Sequence, residues 1–212
     1  MPKTNDSTLN GAEARAARTD AALVRAAQEI LAETGNAVSV KMITDHAGVA
    51  VGSLYNRFGS KEELFGEACR QALVEIEADS AKRTEQIQGP AARFAMRTRI
   101  YLRTPQTAPL LAQLMTRPEA RMAASPKGYS EAALRDVKAA IKAGRFHCKD
   151  PQTALFVMGG AANSFIARAL ASGSFSAQKA DALTEYFLTE LLGVSAREAA
   201  ELAREPIAPA AA

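Results

Sequence analysis

The chain has 212 residues, 48% of them hydrophobic and 23% charged, a balance that excludes intrinsic disorder and is typical of a globular protein. Alanine is abundant and aromatic residues make up only 6%, which favours helix over sheet. The two cysteines, Cys69 and Cys148, are too few for a disulfide framework and indicate a reducing cytoplasm as the location.

No segment has the pattern of a signal peptide or of a membrane anchor. The N-terminus is polar and lacks an apolar core. The least charged stretch, residues 150–168, still contains Gln152, Thr153 and Asn163, so we judge it too polar for a membrane span. We predict a buried helix there and no association with a membrane.

The net charge of +3 is unevenly distributed along the chain. Residues 1–89 carry 10 Lys or Arg against 13 Asp or Glu, residues 90–150 carry 12 against 4, and residues 151–212 carry 4 against 6. A nucleic-acid-binding protein is expected to have a basic patch. Here the basic excess lies in the middle of the chain, where it either attracts an acidic small molecule or forms a solvated surface.

The N-terminal part predicts an arm followed by four helices. Residues 1–17 are polar and alanine-rich without a clear period, which predicts a flexible arm. From Thr19 an apolar stripe with helical spacing begins. Ser39 can cap a second short helix that ends at Gly48, and a third runs from about Val51 to Phe58. The sequence Ser-Lys-Glu-Glu at 60–63 is a capping box, which predicts the start of a long fourth helix.

The remaining two thirds of the chain also has helical periodicity. Prolines stand at the expected helix starts, where a missing N–H costs little. The helices are predicted near residues 91–103, 107–116, 127–144, 151–172 and 178–193. We therefore predict an all-α protein of about nine helices: an N-terminal three-helix helix-turn-helix domain and a larger C-terminal helical bundle.

The second and third helices, joined by a glycine turn, form a helix-turn-helix. The third helix places Val51, Leu54 and Phe58 on an inner side, while its other side carries a polar set. That set consists of Gly52, Ser53, Asn56 and Arg57, with Tyr55 on the flank. Such a face fits a DNA major groove, because hydroxyl and amide groups bind phosphates and base edges. An ordinary surface turn of a helical bundle has the same pattern, so periodicity alone leaves both interpretations open.

Residues 19–65 closely resemble the N-terminal domain of the TetR family of transcriptional regulators. The matching motifs are Ser39-Val40, Ile43 through Ala47-Gly48-Val49, Gly52 through Phe58, and Ser60-Lys61-Glu62-Glu63-Leu64. The resemblance implies a helix-turn-helix domain at residues 18–65 that binds operator DNA as a dimer. It also implies an effector-binding and dimerisation domain at residues 66–195, followed by a C-terminal tail at residues 196–212.

Two positions depart from the family pattern. Ala50 stands where members often have Ser or Thr as the cap of the recognition helix, so the start of this helix is expected to be less rigid. Arg57 stands where many members have His. Arginine keeps the capacity to bind phosphate and is always charged, so binding should depend little on pH near neutrality.

The resemblance also implies which side chains touch DNA. Ser39 and Lys41 are expected on backbone phosphate, and Asn56 on a base edge or a phosphate. The residues expected at base edges are Val51, Gly52 and Ser53. The residues expected to hold phosphates are Tyr55, Arg57 and Lys61.

The second domain is expected to provide a dimer interface and an effector pocket. The residues predicted for the interface, on the last two long helices, are Gly159, Ala162, Leu183, Phe187 and Leu191. The residues predicted to line the pocket are Phe94, Arg97, Tyr101, Met115, Met122 and Phe156. An ordinary intrachain core would contain the same residue types, and the sequence does not decide between the two.

We therefore expect a repressor that binds a palindromic operator as a homodimer and is released by a small-molecule effector. An enzyme is not expected, because the few imidazoles and thiols form neither a nucleophile–base pair nor a metal site by their spacing. Those four residues are His46, His147, Cys69 and Cys148. No cofactor and no metal is expected. The alternative is a helical ligand-binding or adaptor protein without specific DNA binding.

Overall fold

The computed structural model describes residues 6–34, 38–117 and 130–207, and this part of the chain contains eleven α-helices and no strand. The prediction of an all-α fold is confirmed, with a helix number close to the predicted nine. The helices are α1 (Asp6–Thr34), α2 (Val40–Ala47), α3 (Val51–Phe58), α4 (Lys61–Arg83), α5 (Pro90–Leu102), α6 (Thr104–Thr107), α7 (Pro109–Met115), α8 (Glu131–Lys142), α9 (Pro151–Ser172), α10 (Ala177–Tyr186) and α11 (Ala196–Arg204).

Helix α1 is longer than the sequence indicates at its N-terminal end. The flexible arm predicted for residues 1–17 is wrong from Asp6 onward, because α1 begins there and runs for 29 residues. Residues 11–18 of this helix are largely exposed, and the sequence before Thr19 lacks an apolar stripe, so periodicity does not reveal these turns. Alanine has the highest helix propensity, and a helix that is already nucleated by packing extends through such residues at little cost.

The boundaries of α2 and α4 follow from local capping. The Ser39 hydroxyl accepts a hydrogen bond from the Met42 N–H at 3.2 Å, and Gly48 ends α2 with a φ of 66°. The Ser60 hydroxyl accepts a hydrogen bond from the Glu63 N–H at 3.1 Å. Each hydroxyl satisfies a free N–H of a first helical turn, which is why these starts are readable from sequence.

The N-terminal helices share one apolar core. Leu23, Ile43, Leu54 and Leu64, one from each of α1 to α4, are fully buried in it. Leu114 of α7 is buried in the same core. The N-terminal helices therefore pack, through α1 and α4, against an element from the later part of the chain.

A second core lies among α5, α8, α9, α10 and α11. Phe94 of α5 meets Phe146, which follows α8, edge to face with ring centroids 5.7 Å apart. After α10 the chain makes a π-helical turn at Phe187–Leu191, in which the Leu192 N–H donates to the Phe187 carbonyl. This wider turn brings Phe187 into the core, where it is fully buried.

The C-terminal tail predicted for residues 196–212 is wrong for residues 196–204, which form α11. The Ser195 hydroxyl caps this helix by accepting from the Glu198 N–H at 3.3 Å. Ala199 and Ala203 are buried against the second core. Their small side chains carry a weak apolar pattern, and only packing against α5 and α10 shows that the helix is docked.

Within the described ranges, one helix, α9, is long and apolar enough to cross a membrane. The prediction that this segment is too polar for a span therefore does not hold by length and composition. Leu155, Met158 and Ile166 on its inner side are buried inside the chain. Core helices of soluble proteins can be equally long and apolar, so the length and composition of α9 are weak evidence for a membrane span.

Candidate nucleic-acid interface

Helix α3 presents one side to solvent and a narrow side to the protein. Leu54 is fully buried, Phe58 is half-buried, and Val51 is 44% exposed. Val51, predicted on the inner side, is therefore part of the outer one. Tyr55 and Asn56 are also exposed, and Ser53 is half-buried. The polar set predicted from the sequence lies together on the surface.

Gly52 has no structural reason to be glycine. It lies inside a regular helix, is exposed, and a Cβ built on it would have no heavy atom within 4 Å. Glycine in a helix is less stable than alanine by about 1 kcal/mol. The fold tolerates this cost at a position where the absence of a side chain lets another surface approach the helix backbone.

The start of α3 has no side-chain cap. Ala50 occupies the N-cap position in extended geometry, and no side-chain hydrogen bond satisfies the first turn. This agrees with the departure from the family pattern. An eight-residue helix is too short to be stable alone, so packing and side-chain contacts must hold it.

Arg57 is paired with a carboxylate on α1. Its Nε donates to Asp20 Oδ1 at 2.5 Å and its Nη2 donates to Asp20 Oδ2 at 2.5 Å. The hydrogen bond to Asp20 raises the pKa of Arg57 above its usual value. The predicted phosphate ligand is thus engaged within the protein in the free chain.

The two lysines predicted to contact phosphates have local partners. Lys41 Nζ lies 2.5 Å from Asp45 Oδ2, one turn along α2, and both side chains are exposed. Lys61 Nζ donates to the Val38 carbonyl at 3.2 Å and lies over the Phe65 ring. The exposed pair is weak, so a phosphate can replace Asp45 as the partner of Lys41 at little cost.

Ser39 uses one lone pair as the cap of α2, and its hydroxyl hydrogen is still able to donate to a phosphate.

Sequence reasoning missed Met42, which is an exposed apolar side chain beside Lys41. The spacing of Val40, Ile43 and Ala47 defines the inner side of α2 and places Met42 outside it. The sequence alone could therefore have indicated that Met42 is exposed. It missed Asp20 because no local pattern connects residues 37 positions apart.

Hydrogen bonds link α1, α4 and the segment around α7 to one another. Gln28 Nε2 donates to the Ala68 carbonyl at 3.1 Å, between α1 and α4. The Cys69 thiol donates to the Leu114 carbonyl at 3.6 Å, and burial raises the pKa of Cys69 to about 12. Arg117, just after α7, donates from Nη2 to the Leu31 carbonyl at 2.5 Å. Helix α7 therefore contacts both α1 and α4.

The predicted pocket residues in the described part of the chain have different surroundings. Phe94 and Met115 are buried in packed interiors, and Phe156 is 62% exposed on α9. Its outward direction is incompatible with the predicted role in a pocket. Arg97 pairs with Asp136 on α8 at 2.8 Å. Met122 lies outside the described residues.

Tyr101, like Arg97, is a predicted pocket residue that has a buried polar partner. Its hydroxyl donates to Asn163 Oδ1 at 2.7 Å, and Asn163 is buried on α9. Tyr101 also packs against the second core. A hydroxyl and an amide thus lie next to apolar side chains, which is the mixture that small-molecule sites use.

The predicted dimer residues face mostly inward. Phe187 and Ala162 are buried in the second core, so assigning them to a surface is wrong for the single chain. Leu183 and Leu191 are half-buried and pack against that core, and Gly159 is half-buried. Exposed residues of these helices include Phe156, Val157, Gly160 and Ser164 on α9 and Tyr186 on α10. We refer to this largely apolar set of exposed residues as the α9–α10 surface.

The chain matches two described families of sequences. Residues 23–68 match "Bacterial regulatory proteins, tetR family". Residues 89–205, more than half of the chain, match "Tetracyclin repressor-like, C-terminal domain". No curated protein sequence matches significantly.

Solved structures with the same fold cover nearly the whole chain. RolR in complex with the ligand resorcinol is 24% identical with a TM-score of 0.76, over 94% of this chain and 100% of RolR. The fatty acid degradation regulator FadR from Bacillus halodurans is 16% identical with a TM-score of 0.66, over 80% of this chain and 94% of FadR.

NalD, the secondary repressor of the MexAB-OprM multidrug efflux pump in Pseudomonas aeruginosa, is 19% identical with a TM-score of 0.57. The alignment covers 84% of this chain and 98% of NalD. These TM-scores establish a shared fold. The two family matches, one to the N-terminal helices at residues 23–68 and one to the C-terminal helices at residues 89–205, establish more: the chain belongs to the TetR family of transcriptional regulators.

Proposed function

We propose that the chain is a repressor that binds a near-palindromic operator as a homodimer, with α3 as its recognition helix in the major groove. The observation that carries this proposal is the exposed side of α3 around Gly52, where packing within the chain does not require glycine. A groove admits a helix only when its backbone approaches the base edges. Glycine at this position permits that approach.

The outer side of α3 supplies chemically distinct contacts. Val51 is suited to a thymine methyl group, and Ser53 and Asn56 to base edges. The Tyr55 hydroxyl, exposed on the flank, is suited to a phosphate. Ser39, Lys41 and Lys61 would contact the phosphates on either side of the groove.

The charges on this surface predict a modest dependence of affinity on salt. Lys41 and Arg57 are each paired with a carboxylate in the free protein. Each phosphate that a protein neutralises contributes about 0.9 to the slope of log K against log salt. Few net cations face the groove, so specificity would rest on local contacts and on the pairing of two subunits.

The exposed α9–α10 surface would form the dimer interface. Phe156 and Val157 offer apolar area, and Gly160, whose added Cβ would meet no atom of its own chain, permits close approach of a second helix. Isologous two-fold pairing repeats the same residues on both sides. It would place the recognition helices about 34–36 Å apart, one turn of DNA.

A small-molecule effector would bind in the C-terminal domain. RolR is solved in complex with its ligand resorcinol, so a protein of this fold binds a small molecule. In this chain the Tyr101–Asn163 pair provides a donor and an acceptor beside apolar side chains. We propose this pair as the polar contact of the effector site.

Effector binding would act by shifting the population between two conformers. Helices α4 and α7 both pack on the N-terminal core and continue into the C-terminal domain. A displacement of either helix would change the spacing of the two recognition helices. An effector releases DNA only to the extent that it prefers the conformer with the wrong spacing.

We propose residues 18–65 as the DNA-binding domain and residues 66–195 as the effector-binding and dimerisation domain. The protein would act in the cytoplasm, where it meets double-stranded DNA, and without a catalytic reaction. Its family is one of DNA-binding regulators.

Selection from a random double-stranded library tests the proposal. The expected result is enrichment of a sequence with two similar half-sites about one helical turn apart. Ser53→Ala with Asn56→Ala should abolish the enrichment and leave the fold intact, because both side chains lie outside the core. Uniform retention of all sequences, or retention of none at low salt, would instead identify a ligand-binding or adaptor protein.

A further inference from the structure

We infer that Asp20 and Arg57 form a clamp that sets the orientation of α3, so that Arg57 acts through Asp20 and not as a ligand of phosphate. The inference rests on the proposed DNA-binding function and concerns how its recognition helix is held. It assigns Asp20, on α1, a positioning role in DNA binding that no local sequence pattern indicates.

The geometry of the pair is that of two parallel hydrogen bonds. Arg57 Nε and Nη2 donate to the two oxygens of one Asp20 carboxylate, each at 2.5 Å. A bidentate arginine–carboxylate pair fixes both the distance and the relative plane of the two groups. Asp20 occupies the Nε–Nη2 edge of the guanidinium, so a phosphate would have to bind the remaining Nη1 and Nη2 protons of a cation that Asp20 already neutralises.

Apart from this pair, helix α3 is held by apolar packing. It has no side-chain cap at Ala50; Leu54 is fully buried, and the half-buried Phe58 packs on the N-terminal core. In the described part of the chain, no other side chain of α3 makes a hydrogen bond to another helix. Arg57 therefore adds a directional attachment to α1 that apolar packing does not provide.

The two roles of Arg57 predict different salt dependences. An arginine that neutralises a phosphate adds about 0.9 to the slope of log K against log salt. An arginine already neutralised by Asp20 adds nothing to that slope, although its loss still weakens binding. Affinity and slope together therefore separate a positioning residue from a phosphate ligand.

The test measures the dissociation constant at several salt concentrations for the duplex that the wild-type chain enriches from a random library. Asp20→Asn and Arg57→Gln should each weaken binding by on the order of tenfold, the double variant no further, and the slope should stay unchanged. Arg70→Gln is the matched control, because it breaks an equally bidentate pair with Glu67 inside α4. It should leave both quantities unchanged.

Two outcomes would overturn the clamp. Asp20→Asn would tighten binding if it released Arg57 towards a phosphate, and Arg57→Gln would then lower the slope by about one. Hydrogen exchange in the free protein tests the clamp without DNA. Faster exchange of the α3 amides in both variants, relative to Arg70→Gln, supports it, and equal exchange refutes it. If the wild-type chain enriches no sequence, the proposed function fails while this exchange result still decides the clamp.

Discussion

Arg97 donates a hydrogen bond from Nε to the Oγ1 of Thr84 at 3.1 Å, joining α5 to the end of α4. The same guanidinium donates from Nη1 to Asp136 Oδ2 at 2.8 Å, and Arg93 donates to the other oxygen of that carboxylate at 3.1 Å. Thr84 and Asp136 are both buried. Arg97, predicted to line a pocket, thus anchors the C-terminal end of the helix that leads from the DNA-binding domain.

Replacing Thr84 with valine should destabilise the protein by roughly 1–2 kcal/mol. The change keeps the side-chain shape and removes the acceptor of Arg97 Nε, leaving a half-buried donor without that partner. The free energy of unfolding in urea measures the effect. Thr84→Ser, which keeps the hydroxyl, should lose clearly less stability, and equal losses in the two variants would show that the hydrogen bond contributes nothing.

Replacing Gly52 with alanine should make the protein more stable and a weaker DNA binder. A Cβ at this position meets no atom of the chain, and alanine is better than glycine in a helix by about 1 kcal/mol. We expect a melting temperature higher by roughly 2–4 °C and an affinity for the selected duplex lower by at least about tenfold.

Gly11→Ala is the matched control for this variant. Gly11 is also an exposed glycine inside a helix, and its added Cβ also meets no atom within 4 Å. The control should keep the full affinity for DNA. Unchanged affinity in Gly52→Ala would show that the recognition helix does not approach the bases closely at this position.

Replacing Phe156 with glutamate should convert the proposed dimer into folded monomers. Phe156 is 62% exposed, so the single chain loses little packing, whereas a charge in the interface loses an aromatic anchor worth roughly 2–4 kcal/mol. Sedimentation equilibrium measures the molecular mass. Val74→Glu, at an exposed apolar position on α4, should stay dimeric, and a dimeric Phe156→Glu would place the interface elsewhere.

The two cysteines should differ in reactivity. Cys69 is fully buried and its pKa is raised to about 12, whereas Cys148 is half-buried. Because the thiolate is the reactive form, a thiol reagent at pH 8 should label Cys148 in the native protein and both residues after denaturation. Native Cys148→Ser should therefore be unreactive, and rapid labelling of that variant would contradict the burial of Cys69.

Burial of Cys69 also predicts a loss of stability at high pH. Its folded-state pKa of about 12 lies above the ordinary value of 9.0, so the unfolded chain releases this proton first as the pH rises. The stabilisation of the protonated thiol is complete below pH 9 and is lost between about pH 9 and 12. Cys69→Ala, although less stable at neutral pH because of the cavity, should lose stability less steeply over that window than the wild type.

Much of the N-terminal domain could be predicted from the sequence because its helix boundaries depend on residues that are close together in the sequence. The helices at residues 40–47 and 51–58 agree with the structure to the residue, since Ser39 and Gly48 act on atoms within four positions. The predicted polar set of α3 is also exposed. By contrast, α11 was missed because alanines give little periodic contrast, and only packing against other helices buries them.

The sequence by itself determined the helical class, the helix-turn-helix and the family, because capping, periodicity and motif order are all contained in short segments. Only the tertiary structure decided which apolar side of α9 and α10 faces inward, turning Phe187 into the core and Phe156 outward. It also decided the carboxylate partners of Arg57, Arg97 and Arg99, which lie 37, 39 and 82 positions away along the chain. Those contacts depend on how the helices are placed relative to one another, and a short stretch of sequence does not determine that placement.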